Sequence, residues 1–155
     1  MLIRRAETGD MRKISEIITR NFDEVISKIH SEEIVKKYED YYSIDSIIRQ
    51  MAWKKFYVIE EMSEIIGTGS FANFGTPEEP KYVFSNLSVA PEYHSKGVGK
   101  LMINKLISDA KESRVPEVFA LATRDAIHFY AKMGFIEDID QPDKKDEMTW
   151  MKLEL

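Results

Sequence analysis

The chain has no cysteine, which removes disulfide frameworks, thiolate nucleophiles and cysteine-based zinc or iron–sulfur sites. Its chemistry must come from oxygen, nitrogen or a bound cofactor. Histidine is almost as scarce: His30, His94 and His128 lie far apart and show no short ligand spacing, so no metal is expected. No apolar run approaches the roughly 20 residues that span a bilayer, and "MLIRRAETGD" carries charge too early for a secretory signal. The expectation is a cytoplasmic protein with no membrane role. Positive charge is not in excess either: 22 Lys and Arg against 27 Asp and Glu give a net charge of -5. Nucleic-acid binding, which needs a basic face to displace counterions, is therefore disfavoured. An acidic surface instead tolerates, or mildly attracts, a cationic amine.

What is present is the balance of a globular protein, 43% hydrophobic and 32% charged in 155 residues, enough for one core and one domain over 1–155. "LIRRAE" reads as a short strand, and "TGDMRKISEIITRNFDEVI" as a helix with Met11, Ile14, Ile17, Ile18, Phe22, Val25 and Ile26 at helical spacing and Asp10 as N-cap. "SEEIVKKYEDYYSIDSIIRQM" reads as one or two short helices, with starts at Ser31 and Ser43. Its Tyr38, Tyr41 and Tyr42 form either a packed helix face or the aromatic wall of an acceptor pocket; packing is the preferred reading. From Trp53 the period becomes two. "WKKFYVIEE" and "IIGTGSFANF" make an antiparallel hairpin, "GTPEEP" a loop and "KYVFSNLSVA" a third strand. After a further helix come the strand "PEVFALAT", the short helix "RDAIHFYAKM", then "GFIEDI" and "EMTWMKLEL" as two last strands. That order gives a mixed α/β domain without repeats.

The stretch "LSVAPEYHSKGVGKLMINKL" carries the chemistry. Pro91 ends a strand, and Val98, Leu101, Met102, Leu106 and Ala110 give the next helix an apolar side, so "HSKGVGK" sits at a helix N-terminus. Unpaired amides and a positive dipole there attract anions. Gly97 and Gly99 let a phosphate approach the backbone, and Lys96 and Lys100 add charge. A Walker A loop fails because Leu101 follows Gly99-Lys100 where a hydroxyl is needed. A dinucleotide fingerprint fails at Met102, where a third small residue is required, and at Thr123, where an acid is. A tight turn needing glycine for geometry alone is the bland alternative.

Together, "VAPEYHSKGVGKLMINKLI" and the later "LATRDAIHFYAKMGFIE" resemble the GCN5-related N-acetyltransferase superfamily. Gly97 and Gly99 match its glycine loop; Ala126, Phe129, Tyr130, Lys132, Gly134 and Phe135 match its later helix. The resemblance implies an α/β (α+β) fold: a mixed, mostly antiparallel sheet of six to seven strands, about four helices, and a splay beside the glycine loop. It implies acetyl-CoA as co-substrate and an amine acceptor on a small molecule, polyamine, peptide or protein. Leu87, Ser88 and Val89 would pair with the pantetheine arm as an added strand. The amides from Ser95 through Lys96, Gly97, Val98 and Gly99 to Lys100 would hold the pyrophosphate. Thr123, Ala126, Phe129 and Lys132 are carried over as cofactor-side residues, and Tyr130 as the acid that protonates the leaving thiolate. The Val89 N–H is the expected oxyanion donor. His128 is expected at the surface or behind the site.

The chain departs from this pattern twice. His94 stands where the loop usually has Gln or Arg, which alters one phosphate contact and removes no amide. Ser85 stands where many members carry a glutamate, so the base is unassigned among a water chain, Asn86, Ser85 acting through water, and Glu60. An acyl-CoA sensor without turnover is the alternative reading, and an unrelated nucleotide-binding protein is a third. Dimers are frequent in the resembled family, and the final strand could pair across an interface as readily as within one sheet.

Overall fold

Strand β2 (Lys55–Glu61) sends alternate side chains into two different cores. Phe56 and Val58 pack with Met11, Ile14, Ile18 and Ile47, while Tyr57 and Ile59 pack with Met102, Ile103 and Leu106. A strand apolar on both faces needs a helical layer on each side. The computed structural model, which describes residues 1–24, 26–28, 30–141 and 147–155, has both layers. Helices α1 (Met11–Glu24), α2 (Glu32–Tyr41) and α3 (Ile44–Met51) serve the first core; α4 (Val98–Glu112) and the short α5 (Ile127–Lys132) serve the second. Side chains such as Ile14, Ile47, Ile103 and Leu106 have no exposed surface, and each such burial contributes roughly 1.5–3 kcal/mol.

The sheet has seven strands in the order β1-β2-β3-β4-β5-β7-β6. With β2 they are β1 (Leu2–Arg5), β3 (Glu64–Asn73), β4 (Tyr82–Val89), β5 (Glu117–Ala122), β6 (Ile136–Glu137) and β7 (Thr149–Glu154). All neighbours are antiparallel except β4 and β5. The mixed, mostly antiparallel sheet expected from sequence is thus present. Met62 and Ser63, with φ of 51° and 64°, close the β2–β3 hairpin as a two-residue turn with the twist such hairpins favour.

Both predicted serine caps hold. Ser31 Oγ accepts from the Ile34 N–H, and Ser43 Oγ from the Ser46 N–H. The expected Asp10 cap is corrected: Glu7 is the N-cap of a 3₁₀ turn, Thr8–Asp10, that runs straight into α1. The Asp10 carboxylate reaches back to the Glu7 N–H at 2.7 Å and grips the Arg4 guanidinium at 2.8 and 3.0 Å. A cation reaching over from β1 has changed which residue begins the helix. Val25, expected at the end of α1, lies outside the described residues. No described helix is long and apolar enough to cross a membrane.

Candidate functional site

The site starts from a failure of strand pairing. β4 and β5 pair only at Val83↔Phe119 and Phe84↔Ala120 and then separate. On the other side of β4, the register to β3 runs Thr68↔Ser88 but Ser70↔Ser85, so β4 carries one extra residue. Asn86 takes it up with φ of 53°, a left-handed conformation that asparagine tolerates. Beyond this bulge the Ala90 N–H donates to Ile66, so by alternation the amide groups of Leu87 and Val89 face the gap. Asn21 of α1 reaches into it, its Nδ2 donating to the Val89 carbonyl at 2.8 Å and Ser88 Oγ at 2.6 Å. The splay is where the sequence expected it; of the three edge residues, Leu87 and Val89 turn their amide groups to the gap, whereas Ser88, expected there too, is paired with Thr68 of β3.

The glycine loop opens α4 beside that edge. His94 Nε2 lies 2.8 Å from the Val89 carbonyl and must donate there, which ties the loop to the strand end. Ser95 and Gly97 have φ of 61° and 83°, the turn that lets the chain enter α4. Gly97 is the N-cap without a side-chain cap bond, and no acid stands in the first turn, so the leading amides and dipole stay available to an anion. Lys96 and Lys100 are exposed beside them, Lys96 over the Tyr93 ring at 5.5 Å, while Val98 is buried and anchors the helix start. Gly99 is needed for space: a Cβ there would stand 3.2 Å from the Phe129 ring. Phe129, from α5, therefore closes against the loop.

A cavity of about 780 Å³ begins at the open edge and runs beneath α1 and α2. Leu87, Ser88, Thr123, Ala126 and Tyr130 line it, so five of the sequence-predicted residues meet there. The Thr123 hydroxyl is already committed to Asp125 at 2.6 Å, and Ala126 is the N-cap of α5. Tyr130 is only 5% exposed, packed edge-on to Phe129 and Phe135 yet bordering the cavity. Burial pushes its phenol far above the ordinary tyrosine value, with Asp125 adding to the rise, so it stays protonated. His128 is exposed, as expected, and Lys132 is exposed at the far end of α5, apart from the cavity.

Opposite Tyr130 the tyrosines of α2 form the wall that was the less favoured sequence reading. Phe22 stacks on Tyr38 at 6.0 Å and lies 5.5 Å from Tyr42, and Tyr41 meets Tyr42 edge-on at 5.0 Å. All four border the cavity. They are packed against one another and lining at once, because the face they share is the cavity's side. The charged lining is Lys37, Arg49 and Lys81 against Asp40.

Beside this wall lies a cluster of which the sequence singled out only Ser85 and Asn86. The bulge puts two successive side chains, Ser85 and Asn86, on one face of β4, and Lys54 meets both. Lys54 Nζ is 3.2 Å from Ser85 Oγ, 3.0 Å from Asn86 Oδ1, 2.9 Å from Gln50 Oε1 and 3.2 Å from the Tyr41 hydroxyl. Ser70 of β3 completes the group, 2.8 Å from Ser85 Oγ and 2.7 Å from Asn86 Oδ1. Only 4% of Lys54 is exposed, no carboxylate pairs with it among the described residues, and burial pushes its amine down to about 7. The only trace in the sequence was the pair Lys54-Lys55 entering a strand: alternation sends Lys55 to Asp109 on α4 at 3.3 Å and Lys54 to the opposite face. Asn21 had a clearer trace, a polar residue four positions after Ile17 on an apolar helix stripe. Glu60, one of the bases considered from sequence, is held by Arg4 at 2.8 Å and is not part of the cavity lining.

Known proteins share this architecture. PaiA N-acetyltransferase from Thermoplasma acidophilum, in complex with coenzyme A, superimposes with a TM-score of 0.82 at 20% identity over 99% of this chain and 98% of that one. Ribosomal-protein-alanine N-acetyltransferase from Brucella melitensis gives 0.71 at 21% identity, covering 100% of each chain. In sequence, the amino-acid acetyltransferase of Photobacterium profundum is 33% identical over 89 residues, 57% of this chain and 20% of that protein. That of Escherichia coli (strain K12) is 30% identical over 101 residues, 64% of this chain and 22% of that protein. The chain thus spans about a fifth of the length of these relatives. Residues 15–135, running from α1 through the glycine loop to the end of the α5 turn, match the Acetyltransferase (GNAT) family, and the chain belongs to it.

Proposed function

We propose that the chain is an acetyl-CoA-dependent N-acetyltransferase that transfers the acetyl group directly to a primary amine. The carrying observation is the continuous cavity that joins the open β4 edge to Tyr130 and the aromatic wall. The unpaired amide edge at Leu87 and Val89 suits the pantetheine amides, and the uncapped start of α4 suits the pyrophosphate. The residues fit such a co-substrate, which supplies the acetyl thioester. The amine comes in from the wall side and attacks the thioester carbonyl, and the Val89 N–H faces the gap where the oxyanion develops. Tyr130, held protonated by burial, donates to the departing thiolate.

For the acceptor, the lining is more informative than net charge. Lys37, Arg49 and Lys81 against Asp40 make a positive lining in an acidic chain, which favours an amine that also bears a carboxylate over a polyamine. The relatives named amino-acid acetyltransferases point to the same class. Thermal shift with acetyl-CoA, CoA, ATP and NAD, followed by thiol release from acetyl-CoA with amino acids, peptides and polyamines, tests the reading. Stabilisation by the CoA compounds and thiol release with amino acids or peptides are expected. Absence of stabilisation by either CoA compound overturns the reading.

A further inference from the structure

We propose that Lys54 takes the proton that an acceptor ammonium must lose, with Ser85 as the relay between cavity and lysine. The inference rests on the acetyltransferase reading and supplies its missing base. Counting hydrogens carries it. Gln50 Nε2 donates to the Tyr41 carbonyl at 2.9 Å and to Ser46 Oγ at 3.2 Å, which turns Gln50 Oε1 toward Lys54. Asn86 Nδ2 donates to that same Gln50 Oε1 at 3.0 Å, which turns Asn86 Oδ1 toward Lys54. Lys54 therefore faces two oxygens that can only accept and two hydroxyls, of Ser85 and Tyr41, that can donate. A neutral amine, with two N–H groups and one lone pair, satisfies that set, and so does an ammonium whose third N–H goes to either hydroxyl, so the lysine can take up and release a proton without leaving its partners. In the neutral form the lone pair accepts from a hydroxyl; Ser85 and Tyr41 both border the cavity, and Ser85 Oγ, although 3.0 Å from Asn86 Oδ1, is left to the lysine once Lys54 and Ser70 fill that oxygen's two acceptor sites.

The surroundings also admit the charged form for the length of a turnover. The rings of Tyr41, Trp53 and Phe74 lie 5.4, 5.1 and 5.0 Å from Lys54 Nζ, and their faces attract a cation. Among the groups packed on the lysine, α2 contributes one that ionises, Tyr41, raised by burial and so neutral. Helix α3 brings Gln50, and β3 and β4 bring Ser70, Ser85 and Asn86, none of which titrates. The cavity's charged lining is Lys37, Asp40, Arg49 and Lys81.

In the step, the acceptor ammonium gives a proton to Ser85 Oγ as the Ser85 hydroxyl proton passes to Lys54 Nζ. The freed amine forms the C–N bond to the thioester carbon, and the C–S bond breaks as the thiolate takes the Tyr130 proton. The second proton of the new amide nitrogen restores the tyrosine. Lys54 returns its proton through Ser85 to solvent after the product leaves.

The test compares two nucleophiles by thiol release from acetyl-CoA across pH 5.5–9: an alkylamine acceptor, which must be deprotonated, and methoxyamine, which is neutral over that range. In the wild type, kcat/KM for the alkylamine is expected to rise through a limb near pH 7. Lys54→Met is expected to abolish that limb and lower the alkylamine rate by about a hundredfold. Methoxyamine turnover and the acetyl-CoA thermal shift should change less than twofold and by less than a degree. Ser85→Ala, which leaves the lysine buried, should show the same selective loss and decides the matter if Lys54→Met does not fold. Equal losses for both nucleophiles, or a limb that persists in either variant, overturn the proposal while leaving the acetyltransferase reading standing. A wild type that binds acetyl-CoA but releases no thiol with any amine overturns both.

Discussion

Replacing Lys54 with methionine tests the buried amine without reference to any substrate. In the unfolded chain the group has the ordinary lysine value of 10.5; in the folded protein burial brings it to about 7. Between those values the unfolded state holds more protons, so stability rises with pH, by at most about 1.4 kcal/mol per pH unit. Below about 7 the penalty of the buried charge is fully present, and it is relieved progressively up to 10.5. From pH 7 to 9 the wild type should gain about 2 kcal/mol from this group alone, on the order of 4–9 °C in Tm for a domain of this size. Methionine fills similar volume and does not titrate. Its cost is the three hydrogen bonds a neutral amine makes there, each worth about 1 kcal/mol, softened because Gln50 Oε1 keeps Asn86 Nδ2, Asn86 Oδ1 keeps Ser70 and Ser85 Oγ keeps Ser70. Lys54→Met should therefore equal or exceed the wild type in stability at pH 6 and fall behind it at pH 9. Urea unfolding of both proteins at intervals across that range measures the difference. A gap that stays constant within about 0.5 kcal/mol, the size of an ordinary surface effect, would mean that the lysine is not held neutral in the folded protein.

Tyr130→Phe should lower turnover about a hundredfold with an unchanged acetyl-CoA thermal shift; unchanged turnover removes the phenol from the reaction. Gly99→Val drives a branched side chain into the Phe129 ring, 3.2 Å from the nearest position a Cβ could take, and should cost about 1–3 kcal/mol and the acetyl-CoA thermal shift. Adding Phe129→Leu should recover part of both, whereas recovery of neither means that the glycine serves another purpose. Asp109 anchors α4 to the sheet through Tyr57 and Lys55, the latter at 3.3 Å, and pairs along its own helix with Lys105 at 3.1 Å. Burial pushes its carboxyl up, but Tyr57, Lys105 and Lys55 outweigh that and hold it below the ordinary 3.8. That stability is present above 3.8 and is lost as pH falls through the lowered value, so Asp109→Asn should destabilise the protein by about 1–3 kcal/mol at neutral pH. The deficit should shrink in strong acid; equal deficits at every pH refute the ion-pair account.

Local patterns were legible wherever one element decided its own form. Ser31 and Ser43 cap the helices they precede, and the change of period near Trp53 marks the sheet. The glycine loop was legible for the same reason, since an uncapped helix start and two glycines are local facts. Asp10 was misread because a guanidinium from a different strand competes for it. The tyrosine wall was undervalued because helical spacing shows that Tyr38, Tyr41 and Tyr42 share a face but not that the face borders a cavity. Lys54 was out of reach altogether: its environment comes from α2, α3, β3 and β4, four elements whose meeting no spacing encodes.

The extra residue at Asn86 acts on β4 as an insertion acts on a reading frame. Upstream, the even-numbered Tyr82 and Phe84 belong to the core under α4; downstream, that side is taken by the odd-numbered Leu87 and Val89. Ser88 is thereby turned to the α1 side, where Asn21 meets it. Pulling the bulge flat with every residue kept would swap all later side chains, sending Ser88 into the α4 core and Leu87 and Val89 toward Asn21; removing one residue would leave those sides as they are but take Ser85 or Asn86 from the face that meets Lys54. The added residue therefore keeps the strand beyond it facing as a plain strand would, while setting two neighbouring polar side chains before one lysine where regular pleating could offer one.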